Sequence, residues 1–237
     1  MQGRKLLISL VLLAGCTDLY GQSEGPLQPV PVAPAGPLPT PEQAVAGFVQ
    51  VIDRMEPVAE NLCRNRTRGV NCDIQIFVDS RAGLPANAFQ TVDKAGNPIV
   101  VFTIALIADA RNVDEIAFVM GHEASHHILG HIPRREDSVQ TTAILAAVLA
   151  QASGASPEAV RQATSLGAEF GARRYSKDFE LEADALGTEI ALLSGYDPVR
   201  GAQFFSRLPD PGDQFLGSHP PNAERQAVVA RTAASLR

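Results

Sequence analysis

The chain has 237 residues, 45% of them hydrophobic and 19% charged, which is enough apolar material for one core and one catalytic-sized domain. Its 20 basic and 26 acidic residues leave a formal charge of −6. They are scattered without blocks, so no basic stripe exists to track phosphates and nucleic acid is excluded as a partner.

Arg4 and Lys5 precede an apolar run over residues 6–13, broken only by Ser9. This is the charged start and apolar middle of an export signal, and it is too short to span a bilayer. The run ends in Leu13-Ala14-Gly15-Cys16, which resembles the lipobox of bacterial lipoproteins. The resemblance implies cleavage before Cys16 and lipid on its sulfur, and Thr17 in place of aspartate favours an outer-membrane anchor. An ordinary secretory signal with a chance cysteine is the alternative. The expected division is a signal peptide over residues 1–15, a lipidated tether over 16–41 and a folded domain over 42–237. Prolines 26, 29, 31, 34, 37, 39 and 41 make the tether an extended spacer without internal hydrogen bonds.

Val45, Phe48, Val49 and Ile52 recur at helical spacing and predict a helix over residues 42–62, kinked or divided at Pro57. Cys63 and Cys72 form an even pair in an exported chain, which suggests a disulfide that contributes about 2–3 kcal/mol. A metal pair is the alternative, but no histidine lies nearby. Ile74, Ile76 and Val78 alternate as a strand, and residues 88–92 and 99–102 flank a turn at Lys94-Ala95-Gly96-Asn97, which predicts a hairpin.

Asn112 and Glu115 are spaced as a capping box and open a helix that Pro133 should stop. Residues 138–171 are alanine-rich and predict two helices separated at residues 153–157. They read either as a buried helical pair or as a membrane-facing lid over the site. A further helix is expected over residues 177–194, ended by Gly195, with Asp197-Pro198 capping the next and another after Pro221.

Inside the helix opened by Asn112 lies His122-Glu123-Ala124-Ser125-His126, an H-E-x-x-H pattern. Imidazoles four residues apart on a helix differ by about 40° around its axis, so both reach one ion, with the glutamate beside them as general base. Zinc accepts such donors and leaves one position open for chemistry. His127 and His131 project away on an ideal helix, which gives them packing or supporting roles, and no neighbouring carboxylate favours a second metal there. The third ligand must come from elsewhere. Glu180-Leu181-Glu182-Ala183-Asp184 is the candidate source, with Glu180 and Asp184 on one face and small Ala183 and Gly187 permitting close helix approach. Asp184 is suited to accept the second ring proton of a ligand histidine, and Glu182 is expected to face solvent. An exposed carboxylate on an amphipathic helix is the alternative for Glu180.

Together with Asn87-Ala88-Phe89, Gly121 before the motif, His131 after it, Glu180-x-x-Ala183-Asp184 and Gly195-Tyr196-Asp197-Pro198, these residues resemble gluzincin metallopeptidase family 48, in its periplasmic lipoprotein branch without tetratricopeptide repeats. The resemblance implies an α+β fold, a mainly helical zincin-type domain with a small sheet beside the H-E-x-x-H helix. It also implies one zinc ion with His122, His126 and Glu180 as ligands. Ser218-His219-Pro220 followed by Arg225 is similar to a late motif of that family, in which the histidine lies near the metal and the arginine helps hold it. Two roles stay open for His219: stabilising the oxyanion, or occupying the fourth zinc position as a latency lock.

The expected activity is endopeptidase cleavage of misfolded or stalled envelope proteins, among them outer-membrane proteins, by a periplasm-facing, lipid-anchored enzyme. An extended substrate is expected to add to the edge of the strand at residues 99–103. The alternative is a zinc-bearing lipoprotein chaperone or assembly factor with a latent site.

Overall fold

The computed structural model describes residues 36–207 and 220–237, with side chains left out at residues 173–176; Cys16 and His219 lie outside the described residues. The helices are α1 (Pro41–Arg66), α2 (Ile104–Asp109), α3 (Val113–Ile128), α4 (His131–Ala152), α5 (Pro157–Leu193), α6 (Pro198–Gly201) and α7 (Asn222–Ser235). A 3-10 turn (Ala202–Arg207) follows α6, and the strands are β1 (Gln75–Asp79), β2 (Ala88–Val92) and β3 (Pro98–Thr103). The fold is the mainly helical α+β architecture with a small sheet that the family resemblance implies.

At the start of α1, the Thr40 hydroxyl accepts from the Gln43 N–H while the Gln43 side chain accepts from the Thr40 N–H, two otherwise orphaned donors satisfied reciprocally. The helix runs unbroken through Pro57 to Arg66, rather than dividing there. Its buried stripe of Phe48, Val51, Ile52, Met55, Ala59 and Cys63 spans both sides of the proline, and tertiary burial outweighs the one lost hydrogen bond. Cys63 and Cys72 are disulfide-bonded with Cα atoms 5.7 Å apart, which ties the end of α1 to the approach of β1.

The sheet order is β1-β3-β2, with β3 parallel to β1 and antiparallel to β2. Val100 and Phe102 of β3 are fully buried, and Phe102 meets Phe48 edge-on at 5.2 Å. The hairpin forms as the turn residues predict. The expected substrate edge does not, because β3 is the central strand and both its sides are paired. Among the described residues, the edge beside α3 that pairs with no further strand belongs to β2.

α3 begins at Asn112, whose side chain accepts from the Glu115 N–H. The other half of the box is missing: the Glu115 carboxylate accepts from the Arg111 N–H at 2.8 Å and pairs with Arg207 at 2.7 Å. Gly130, at φ 65°, ends the helix rather than Pro133. Pro133 falls in the first turn of α4, where a missing N–H costs nothing.

α5 is one helix of 37 residues, which merges two expected helices. Gly167 and Gly171 are not stops but points of close approach. A Cβ on Gly167 would lie 2.5 Å from the Thr142 carbonyl oxygen, and one on Gly171 would lie 2.7 Å from that of Ser138. α4 and α5 therefore form a close antiparallel hairpin. It is not the buried pair expected: Ile144, Leu145, Val148 and Leu149 on α4 are exposed, because α4 packs on α5 and, among the described residues, has little beyond it except its junction with α3.

Candidate metal centre and active site

α5 crosses α3 where both carry glycine. A Cβ on Gly121 would lie 2.7 Å from the Gly187 carbonyl oxygen, and one on Gly187 would lie 2.7 Å from the His122 nitrogen. This backbone contact brings the Glu180-to-Asp184 turn of α5 level with His122 and His126 on α3. The donor atoms of His122, His126 and Glu180 all lie within 4.8 Å of one another, and this is the one such cluster among the described residues.

The two imidazole Nε2 atoms are 3.0 Å apart. Glu180 Oε2 lies 3.6 Å from His122 Nε2, and its Oε1 lies 3.5 Å from His126 Nε2. Donors at bond lengths of about 2.0–2.1 Å on a tetrahedral ion sit roughly 3.3 Å from one another. The observed separations bracket that edge, so the residues fit a tetrahedral ion with three protein donors.

Partners behind the imidazoles orient them. His122 Nδ1–H donates to Asp184 Oδ1 at 2.8 Å, leaving Nε2 facing Glu180. Arg225 of α7 grips the same carboxylate through two bonds, Nε to Oδ2 at 2.8 Å and Nη2 to Oδ1 at 2.7 Å. Its guanidinium lies 3.8 Å above the Phe205 ring, and it comes within 3.4 Å of Glu180. The arginine thus holds Asp184, and the link to the late-motif histidine that the family resemblance implies lies, with His219, outside the described residues.

His126 Nδ1–H donates to His131 Nδ1 at 2.7 Å, and His131 Nε2 faces Glu182 Oε2 at 3.2 Å. His131 stacks on Phe179 with centroids 4.4 Å apart. The sequence reading placed His131 on the far side of the motif helix and Glu182 in solvent. The placement of His131 is corrected, because Gly130 turns the chain and starts a new helix; Glu182 does meet solvent, its side chain 41% exposed, but α5 also carries it to His131 and to Arg134 at 2.6 Å. His131 and Arg134 share the first turn of α4, but no local pattern links them to Glu182, which the α4–α5 pairing brings to both. His127 has a separate role, its Nε2 meeting the Asn71 carbonyl oxygen at 2.6 Å.

Burial lowers the His122 imidazole, but Asp184 and Glu180 outweigh it and raise the group to about 10. Burial pushes His126 down to about 3 and His131 to about 4. His131 is therefore neutral at pH 7, as an acceptor for the His126 proton must be. Burial also raises the Glu123 carboxyl, against the charge of His122 and the backbone N–H of Gln90.

The site opens into a cleft of about 760 Å³. His122, Glu123, His126 and Glu180 line it together with residues 86–90, Phe204 and Phe205. Asn222 and Arg225 contribute to the wall, so the chain enters the cleft soon after His219.

A family model described as peptidase family M48 matches residues 50–233. Over 137 residues the chain is 31% identical to the mitochondrial metalloendopeptidase OMA1 of Arabidopsis thaliana, covering 56% of this chain and 27% of that protein. Over 151 residues it is 30% identical to the beta-barrel assembly-enhancing protease of Escherichia coli K12, covering 58% and 31%. A protein of the same name from Yersinia pestis is 32% identical over 118 residues, covering 47% and 24%. The matched segment thus spans less than a third of the length of these relatives.

Proposed function

The chain belongs to peptidase family M48, and we propose that it is a zinc-dependent endopeptidase of the bacterial envelope, acting on misfolded or stalled envelope proteins. The observation that carries this reading is the cluster of His122, His126 and Glu180, spaced for a tetrahedral ion, with Glu123 beside it in the cleft wall. The substrate class is supported by the name of the bacterial relatives, a protease that enhances β-barrel assembly. Lipid on Cys16 and an outer-membrane location rest on the lipobox resemblance.

Zinc, when bound, polarises the scissile carbonyl and acidifies water. Glu123 takes the water proton and returns it to the leaving amine, and the burial that raises its carboxyl makes it a stronger base. Asp184 and Arg225 hold the His122 ring in one tautomer, and His131 does so for His126. An extended substrate pairs with the outer edge of β2, which carries no strand among the described residues, since residues 86–90 line the cleft and main-chain pairing demands no particular sequence.

Glu123→Gln is expected to retain one zinc per chain and lose cleavage of an unfolded model protein by roughly 100-fold or more. Glu180→Ala should lose both metal and cleavage. Full activity in Glu123→Gln would remove the base assignment, and a cellular function that survives it would favour the chaperone reading. His219→Ala separates the two roles open to that residue: activity falls if His219 steadies the oxyanion and rises if it locks the fourth position.

A further inference from the structure

Three features of α4 belong together. From Ser138 to Pro157, twenty consecutive residues carry no charge, while Arg134, Arg135, Glu136 and Asp137 crowd the helix's root. The side of α4 facing α5 is built from small groups, Ser138, Thr142 and Ala146, set against Gly167 and Gly171. The opposite side carries the large apolar groups: Ile144, Leu145, Val148 and Leu149 are 64%, 56%, 53% and 62% exposed. A water-soluble hairpin places large apolar residues inside and polar ones outside. Here the order is inverted, with small residues at a close helix contact and large apolar ones outward, as in helix pairs that face lipid.

The hairpin is also an arm. Because α5 runs antiparallel to α3, with Asp184 at His122 and Glu180 at His126, residues 157–178 extend past the metal centre by about 30 Å.

We propose that the outer face of α4 is a membrane-docking surface that lies in the headgroup region of a phospholipid bilayer. The arm does not cross it, since no helix among the described residues is long and apolar enough to do so. A second copy of the chain is the poorer occupant. The four exposed side chains offer roughly 450 Å², about half of what each partner supplies to a stable interface. The uncharged stretch matches a low-dielectric layer, and the charges at the root stay in water. The twenty residue steps from Cys16 to Gly36 would reach about 60 Å if fully extended. Gly36 is bonded to Arg111 at the start of α3, and α3 and the arm end to end span roughly 55 Å. A chain held by lipid at Cys16 therefore has enough slack to lay α4 on the same surface. The inference does not depend on that lipid, nor on the peptidase reading.

The chain contains no tryptophan, so one introduced indole reports its own surroundings whatever holds the N-terminus. Leu149→Trp and Ile144→Trp probe the outer face, and Phe77→Trp, at an exposed position on β1, probes the body. Vesicles of phosphatidylethanolamine and phosphatidylglycerol with brominated acyl chains should shift both arm probes to shorter wavelength and quench most of their emission, while sparing Phe77→Trp. Adding Leu145→Gln to Leu149→Trp should weaken the lipid titration about tenfold. Arm probes that ignore vesicles, or a body probe quenched equally, overturn the proposal. So does blue emission before lipid is added, which assigns the face to a second copy if it depends on protein concentration and to the chain itself if it does not.

Discussion

His122 holds its proton tightly in the folded chain, at about 10 against an ordinary 6.5, because Asp184 and Glu180 outweigh the cost of burial. A raised folded value means that this group's contribution to metal-free stability is full below 6.5 and is lost as pH rises through about 10. A metal ion needs Nε2 unprotonated, so ion binding at pH 7 must expel that proton. Calorimetric titration of chelator-stripped protein in buffers of different ionisation enthalpy should show about one proton released per ion, with affinity rising about tenfold per pH unit between 7 and 9. A binding enthalpy independent of buffer would count against His122 as a ligand. His131 shows the converse logic: burial keeps it neutral, and neutrality lets it accept from His126 while it donates to Glu182.

At the scale of elements, the crossing of α3 and α5 decides whether the donors meet. Gly121 and Gly187 let the two backbones touch, and a Cβ on Gly187 would sit 2.7 Å from the His122 nitrogen and 2.9 Å from the Gly121 carbonyl carbon. Backbone atoms cannot swing away, so α5 must shift. Gly187→Ala is expected to cost about 1–3 kcal/mol and to lower zinc stoichiometry, because Glu180 and Asp184 move with their helix. Thermal unfolding with metal analysis checks both. Unchanged metal content in a destabilised variant would mean that the site tolerates the shift. The α4–α5 contact uses glycine in the same way, yet the sequence reading took the region around Gly171 as a boundary between helices. Spacing reveals a glycine but not what packs against it.

At the scale of the molecule, the ion would join α3 to α5 while Arg225 brings in α7. Chelation therefore bears on the whole fold. With free zinc at about 1,000 times Kd, binding stabilises the native state by about 4 kcal/mol. Stripping it should lower the melting temperature by about 10 °C, and Glu180→Ala should show no such drop. Equal drops in both proteins would place the stabilising ion elsewhere.

The sequence by itself determined what a periodic pattern or a local signal encodes: the helix α1, though not its buried stripe, since Val45 and Val49 are exposed and Val51 and Met55 are buried, the β2–β3 hairpin, the caps at Asn112, Gly195 and Asp197, and the pairing of His122 with His126 one turn apart. These depend on neighbours within a few residues, where helix and strand geometry is the same in every protein. Tertiary structure alone decided the rest. It made β3 the central strand, carried the helix through Pro57, turned His131 back onto His126, brought Glu182 to His131 and Arg134 and gave Arg225 to Asp184. It also left the apolar face of α4 uncovered by the described residues. Each of these depends on which surfaces meet across dozens of residues, and that follows from packing the entire chain rather than from the period of any segment.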